Sequence, residues 1–383
     1  MKKVIVLFLS LSCLLAVIGL GAPLNQVIEI TDAAKSWVAH NGRVLYYTSS
    51  SSQYQLDNQQ VTRMSAYSPQ AKISLSPNSE YRLFSILQGL ETVKDGKRYS
   101  DYFVLDEHND LLYTTNLGTS SDLKPPVAAI SDAGILALAD PVNAHIYVYA
   151  EGNLMSEGQL YEHDGDLSLE RNIRMRWVDD ELFILLERPG FNGGPAGNSL
   201  FIRINSNGRG QITRYLPFTY LQKFVAQNHR LFISGYNYNP ADKQMMPNIV
   251  EVNRDGTVLW NNENYGHELV LSQNGDYLAA LTSHENVQRF DLRNKRVEQI
   301  DFPHENKLSL GLSVNNSGEL ALIRVAVDFF AKRNTHFSQI YFPISGTRVD
   351  VQIDPRYPKL FQIHTDGDRF YIGTNYEWLD IQK

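Results

Sequence analysis

Leu269-Val-Leu-Ser-Gln-Asn-Gly-Asp-Tyr-Leu-Ala-Ala-Leu281 reads as a strand, a tight turn and a second strand. Asn-Gly tolerates the positive backbone angles of a hairpin turn, and the apolar residues on either side bury one face of each strand. The same pattern occurs seven more times, over 37–47, 73–84, 128–139, 175–186, 224–234, 310–323 and 361–373. From Gly42 in the first turn to Gly367 in the last, seven intervals cover 325 residues, about 46 each. That period predicts an all-β protein, a β-propeller with one four-stranded blade per repeat.

Eight blades are favoured over seven. Some 360 residues follow the apolar N-terminus, giving about 45 per blade for eight and about 52 for seven. The ends agree with eight. After the last hairpin, 376–381 supplies a third strand but no fourth, while Val27-Ile-Glu-Ile30 stands alone ahead of the first hairpin. Pairing the two closes the ring and removes exposed sheet edges. No linker interrupts residues 22–383, which read as one propeller domain. Ser49–Ser52 reads as a loop, and Asp106–Asp110 and Asp122–Pro126 as turns between blades.

Hydrophobic residues make up 43% of the chain and charged residues 20%, values of a folded globular protein. A net charge of −7 argues against nucleic acid or an anionic membrane as the main partner, since either needs a concentrated basic face. Met1-Lys2-Lys3 and the apolar run Val4–Leu20 have the form of a secretory signal, with a cut expected before Ala22. A retained inner-membrane anchor is the competing reading. Cys13, the only cysteine, lies inside that run in a poor lipid-attachment context, so disulfides and thiolate metal sites are excluded from the rest of the chain. Either reading places the body of the protein outside the cytoplasm, periplasmic or secreted.

The turns between first and second strands are read as short, two to four residues. The connections between second and third strands are long over 88–101, 188–199, 236–248 and 326–338. Long loops on a rigid scaffold carry binding residues. These contain Lys94, Lys97, Arg98 and Tyr99; Tyr236, Tyr238, Lys243, Met245 and Met246; and Phe329, Phe330, Lys332, Arg333 and His336. Aromatic, methionine and arginine side chains dominate protein interfaces. Some of these rings could instead cap the core.

Catalytic motifs are sparse. His-Glu occurs at 267–268, 284–285 and 304–305 without the second histidine a zinc protease needs, and no nucleophile elbow, phosphate loop or dinucleotide fingerprint is present. Gly190–Gly197 reads as a flexible loop. Asp164-Gly165-Asp166 and Asp366-Gly367-Asp368 fall short of a calcium loop and suit hairpin turns. No metal or cofactor is expected.

Val252–Glu263 contains Gly256, Val258 and Trp260 in a Gly-x-Val-x-Trp spacing. It resembles the outer-strand turn of pyrroloquinoline-quinone-type propeller repeats, in which the tryptophan sits between blades. That resemblance, one blade in eight, implies a propeller similar to outer-membrane assembly lipoproteins, which are binding scaffolds, or to quinone-dependent dehydrogenases; the lack of an adjacent-cysteine pair disfavours the second. The stretch continuing to Ala280 is similar to bacterial arylsulfotransferases, and on that resemblance His267 would be catalytic at a central channel; a nucleophilic histidine needs further cationic or imidazole groups, and His40 and His364 lie in comparable first-hairpin positions, neither within a matching motif. The favoured reading is an exported, non-catalytic scaffold that binds a protein or envelope component through its long-loop face, with membrane contact only through an uncleaved N-terminal anchor.

Overall fold

The computed structural model describes residues 24–29, 33–38, 44–48, 53–57, 60–63, 72–78, 80–87, 93–94, 96–108, 110–119, 126–160, 172–187, 199–205, 212–239, 241, 243–262, 268–282, 286–303, 307–326, 337–352, 362–373 and 377–381. They form strands in two compact units, one of residues 70–264 and one of residues 1–69 with 265–383.

The unit spanning 70–264 holds four antiparallel sheets. Numbered with the whole chain, its strands are β6–β9 (Lys72–Leu75, Arg82–Leu87, Arg98–Leu105, Leu111–Thr119) and β10–β13 (Val127–Ile130, Leu136–Asp140, His145–Ala150, Asn153–Gln159). They continue as β14–β17 (Ile173–Val178, Glu181–Leu186, Ser199–Asn205, Ile212–Leu216) and β18–β21 (Tyr220–Gln227, Arg230–Asn239, Gln244–Val252, Val258–Asn262). The other unit holds β2–β5 (Ala33–Val38, Val44–Thr48, Gln53–Asp57, Gln60–Arg63) and β22–β25 (Glu268–Leu271, Tyr277–Leu281, Asn286–Asp291, Arg296–Asp301). It also holds β26–β29 (Lys307–Val314, Leu320–Ala326, Phe337–Phe342, Thr347–Gln352) and β30–β32 (Gln362–Asp366, Arg369–Gly373, Glu377–Ile381). Strand β1 (Leu24–Glu29) completes the last sheet in the order β1-β32-β31-β30, pairing Val27 with Leu379 and Ile28 with Trp378. The orphan strand expected over 27–30 is therefore the outer strand of the final sheet, begun a few residues earlier. Among the described residues, eight four-stranded sheets result.

The second strands β11 and β15 carry apolar runs covered on both faces. Leu136–Ala139 and Leu182–Leu186 are wholly buried, in contrast to the alternating pattern of a half-exposed strand. One cluster joins Ala137, Ala139, Ile146 and Val148 to Trp177, Ile184 and Ile202 across the β10–β13 and β14–β17 sheets. A second joins Phe183, Leu185 and Phe201 to Phe224, Ile233 and Val250 across the next pair. In the other unit, Ala279, Leu281 and Val287 pack with Leu312, Leu320 and Leu322.

Adjacent sheets are also stapled through their first turns, and the sequence repeats the device. Ser76-x-Asn78-x-x-Tyr81 and Ser272-x-Asn274-x-x-Tyr277 close in the same way. The serine amide donates to the tyrosine carbonyl (3.0 and 2.8 Å), and the serine Oγ accepts from the tyrosine amide (3.0 and 2.9 Å). The Asn78 amide then donates to Asp132 Oδ1 in the next sheet at 2.7 Å, and the Asn274 amide to Asn316 Oδ1 at 2.8 Å. Beside each staple a glycine with positive φ, Gly134 or Gly318, lies against the ring of Tyr81 or Tyr277. Its carbonyl accepts from Tyr113 Oη (2.6 Å) or Arg289 Nη1 (2.9 Å) of the preceding sheet.

Three expectations change. The first turns have two residues, as at Asn228-His229, or close over five or six, as at Ser76–Tyr81, because the longer ones satisfy their backbone through a serine or asparagine side chain. Asp106–Asp110 joins β8 to β9 inside one sheet and is not a link between blades; Asp106 Oδ1 accepts from the His108 and Asp110 amides. The expected loop over 236–248 is mostly strand. Residues 1–23, 161–171 and 188–198 lie outside the described residues, and with them the signal segment, Asp164–Asp166 and the glycine-rich loop. Among the described residues no helix is long and apolar enough to cross a membrane.

Candidate functional site

Strands β19 and β20 are ten and nine residues long, and their two halves differ. Leu231, Phe232 and Ile233 pair with Val252, Glu251 and Val250, and the apolar members are buried. Beyond Gly235 the ribbon emerges from the core, and its composition turns to Tyr, Asn and Met. Gly235 is required at the exit. A Cβ there would collide with the Tyr220 carbonyl and lie 2.8 Å from the Phe218 ring.

Register fixes what the emerging ribbon presents. Tyr236 sits between Tyr220 of β18 and Pro247 of β20, and Tyr238 faces Met245. Directly opposed residues share a face, and alternate residues on one strand share it too. Tyr220, Tyr236, Tyr238, Met245 and Pro247 therefore line one side, with Asn237 and Met246 paired on the other. Tyr220 is 44% exposed, Met245 37% and Met246 42%, while Tyr236 and Tyr238 are half-buried. Thr219 in the link before β18 fastens the ribbon. Its amide donates to the Tyr236 carbonyl at 2.8 Å, and its Oγ1 accepts from the Tyr238 amide at 3.0 Å. The apolar row is thus held in place before any partner arrives, which lowers the ordering cost of binding.

The other expected residues divide. Lys94 and Lys97 are exposed at a tip closed by two reciprocal amide–carbonyl bonds of 3.0 and 2.9 Å, with Gly96 at positive φ. Arg98 and Tyr99, expected in a loop, are the first residues of β8. The Tyr99 ring covers Gly118 across the ladder, where a Cβ would lie 2.7 Å from it, so Tyr99 serves strand packing. This tip belongs to the β6–β9 sheet, and β10 and β14 stand between β6 and β18 in the order of neighbouring strands. The lysines are not part of the ribbon's row. Phe329, Phe330, Lys332, Arg333, His336, His40 and His267 lie outside the described residues; for His364 only the backbone, in β30, is described.

At the opposite strand ends a charged cluster joins two sheets, which the sequence did not announce. Arg254 donates Nη1 to Glu181 Oε2 at 3.0 Å and Nη2 to Asp179, whose Oδ2 also meets His229 Nδ1 at 2.5 Å. Arg203 pairs with Asp255 at 3.1 Å and Glu181 at 3.6 Å. Asp179, His229 and Asp255 are exposed while Glu181, Arg203 and Arg254 are half-buried, and solvent screening holds each pair to about 1 kcal/mol. Gly256, from the Gly-x-Val-x-Trp segment, has positive φ and abuts Phe201 and Arg214 of the preceding sheet; Trp260 is half-buried on β21.

No family model matches the chain, and no curated protein matches it in sequence. Solved structures do. BamB from Moraxella catarrhalis aligns with a TM-score of 0.56 at 9% identity, over 95% of this chain and 100% of that one. The C-terminal WD40 domain of Sif2 aligns at 0.53 and 10% identity, over 93% and 97%. Apo AztD from Citrobacter koseri aligns at 0.51 and 9%, over 85% and 86%. At such identities the likeness speaks for fold, and the fold is that of a β-propeller.

Proposed function

We propose that the chain is an exported, non-catalytic propeller scaffold that binds a protein or envelope component at the strand ends carrying the second-to-third connections. The observation that supports this most is the Tyr220–Tyr236–Pro247 and Tyr238–Met245 rows on the emerging ribbon. Tyrosine there offers area at low entropic cost and belongs to the residues that supply most interface energy, while methionine adapts its shape to a partner. The scaffold role extends to this chain a kind of binding expected from its resemblance to pyrroloquinoline-quinone-type propellers, and export rests on the N-terminal apolar run. Lys94 and Lys97 would act as rim charges that steer encounter.

The test is capture from bacterial envelope extracts by the full chain and by Tyr238→Ala/Met245→Ala, with Tm measured on both. Loss of the captured species at unchanged Tm supports the proposal, provided that the exposed opposite-end variant Asp180→Lys still captures them. Equal capture by the ribbon variant and loss by Asp180→Lys would place binding at the opposite strand ends.

A further inference from the structure

The first strands β6, β10, β14 and β18 neighbour one another in that order. Between them they carry Lys72, Arg174, Arg176 and Lys223 and no aspartate or glutamate, in a chain whose net charge is −7. Arg174 and Arg176 are alternate residues of β14 and share a face. Arg174 reaches toward β18, where Nη2 donates to the Leu221 carbonyl at 3.4 Å. Its Nε is enclosed and donates to nothing among the described residues. Arg176 has no hydrogen bond or ion pair among the described residues. It keeps an open face to solvent, yet the surrounding protein lowers its pKa by desolvation, and the charge of Arg174 adds to the effect.

Glu187 is the acid that acts on Arg174. Its Oε1 is already engaged by the Leu221 amide and by Asn172 Nδ2. Two guanidinium groups therefore stand on one face with a single carboxylate acting on Arg174, none acting on Arg176, and donors unspent. Such an arrangement is costly alone and favourable once an anion completes it.

We propose that Arg174 and Arg176 form a binding site for an oxyanion group, carboxylate or phosphate, on a small molecule. Guanidinium forks match both groups with paired N–H donors, which a lysine cannot do. The open face of Arg176 admits the ligand, and Arg174, half-buried on the same face, adds a second guanidinium whose Nε has no acceptor among the described residues. The site lies on first strands, and the Leu221 it engages adjoins Tyr220 of the ribbon's row.

Titration of the full chain with inorganic phosphate and, separately, with citrate tests this, with ionic strength held constant by sodium chloride. Calorimetry and Tm should show saturable binding of at least one anion, and the preferred one names the source of the oxyanion. Arg176→Gln and Arg174→Gln should each weaken it at least tenfold, while Arg293→Gln, an exposed arginine paired with Asp276, stays within twofold. In the wild-type chain the Arg174 Nε–H resonance should move with the same saturation curve, a readout that does not depend on any variant folding. Absence of binding to both anions, retained affinity in Arg176→Gln, or a stationary Arg174 signal would each overturn the site.

Discussion

Gly318 and Gly346 offer a matched pair for weighing the staple between sheets. Both lie in the same unit, and both have positive φ, +80° and +68°. An alanine methyl at 346 would have no heavy atom within 4 Å, whereas one at 318 would stand 2.7–2.9 Å from the Tyr277 ring. Alanine at 346 therefore incurs only the left-handed backbone cost, about 1–2 kcal/mol. At 318 the same cost applies, and the ring must also move. Overpacking of this kind costs about 1–3 kcal/mol more. Displacing the Gly318 carbonyl from Arg289 would add roughly 1 kcal/mol. Gly318→Ala should thus be less stable than Gly346→Ala by about 2–4 kcal/mol. Urea titration followed by tyrosine fluorescence gives the difference from the midpoints, provided the slopes agree. Midpoints that coincide within error would show that the tyrosine does not rest on the glycine, and the stapling argument would fail.

Asp132 receives the Asn78 amide where the equivalent staple uses Asn316, and burial raises its pKa despite that bond. A carboxyl with a raised folded pKa favours the fold at low pH and loses that contribution as pH rises through the folded value. Asp132→Asn should therefore raise Tm at pH 7, and the gain should shrink to nothing below about pH 3.5, where the native carboxyl is protonated in both states. A gain that persists in acid would point to a cause other than charge. Around Arg254 the solvent-screened ion pairs should count for little: a double-mutant cycle of Arg254→Ala with Glu181→Gln, both half-buried, should give a coupling of about 1 kcal/mol or less that weakens in 1 M salt. Gly235→Ala should cost both stability, by about 1–3 kcal/mol, and partner capture, since it displaces the ribbon's base; normal capture at lowered Tm would detach the ribbon from binding.

The hairpins are legible in the sequence because Asn-Gly, Asp-Gly and Ser-x-Asn carry their backbone demands in the side chains present. The role of the 27–30 segment is legible by counting strands. The ribbon reads as a loop because Gly235, Asn237, Asn239, Pro240 and Pro247 have loop composition, and only ladder register shows Pro247 opposite Tyr236. Tyr99 looks like a binding residue because nothing local announces Gly118 across the strand. The Asp179–His229–Arg254 cluster joins turns up to 75 residues apart, a distance no local pattern spans. Arg174 and Arg176 are hidden in plain alternation: their apolar neighbours Ile173, Met175 and Trp177 identify the strand and draw attention from the charges between them.

The pairing of β1 with β32 sets a condition on biosynthesis. Glu377, the partner of Glu29, is made 348 residues after it. At synthesis rates of about 5–20 residues per second, β1 waits on the order of twenty seconds to a minute for β32. No fragment lacking the final five-residue strand can complete that sheet. A chain cut short leaves two unpaired edges, β1 and β31, which quality-control proteases and aggregation both recognise. The pairing thus acts as a check on synthesis: that sheet closes only for a chain extended as far as β32.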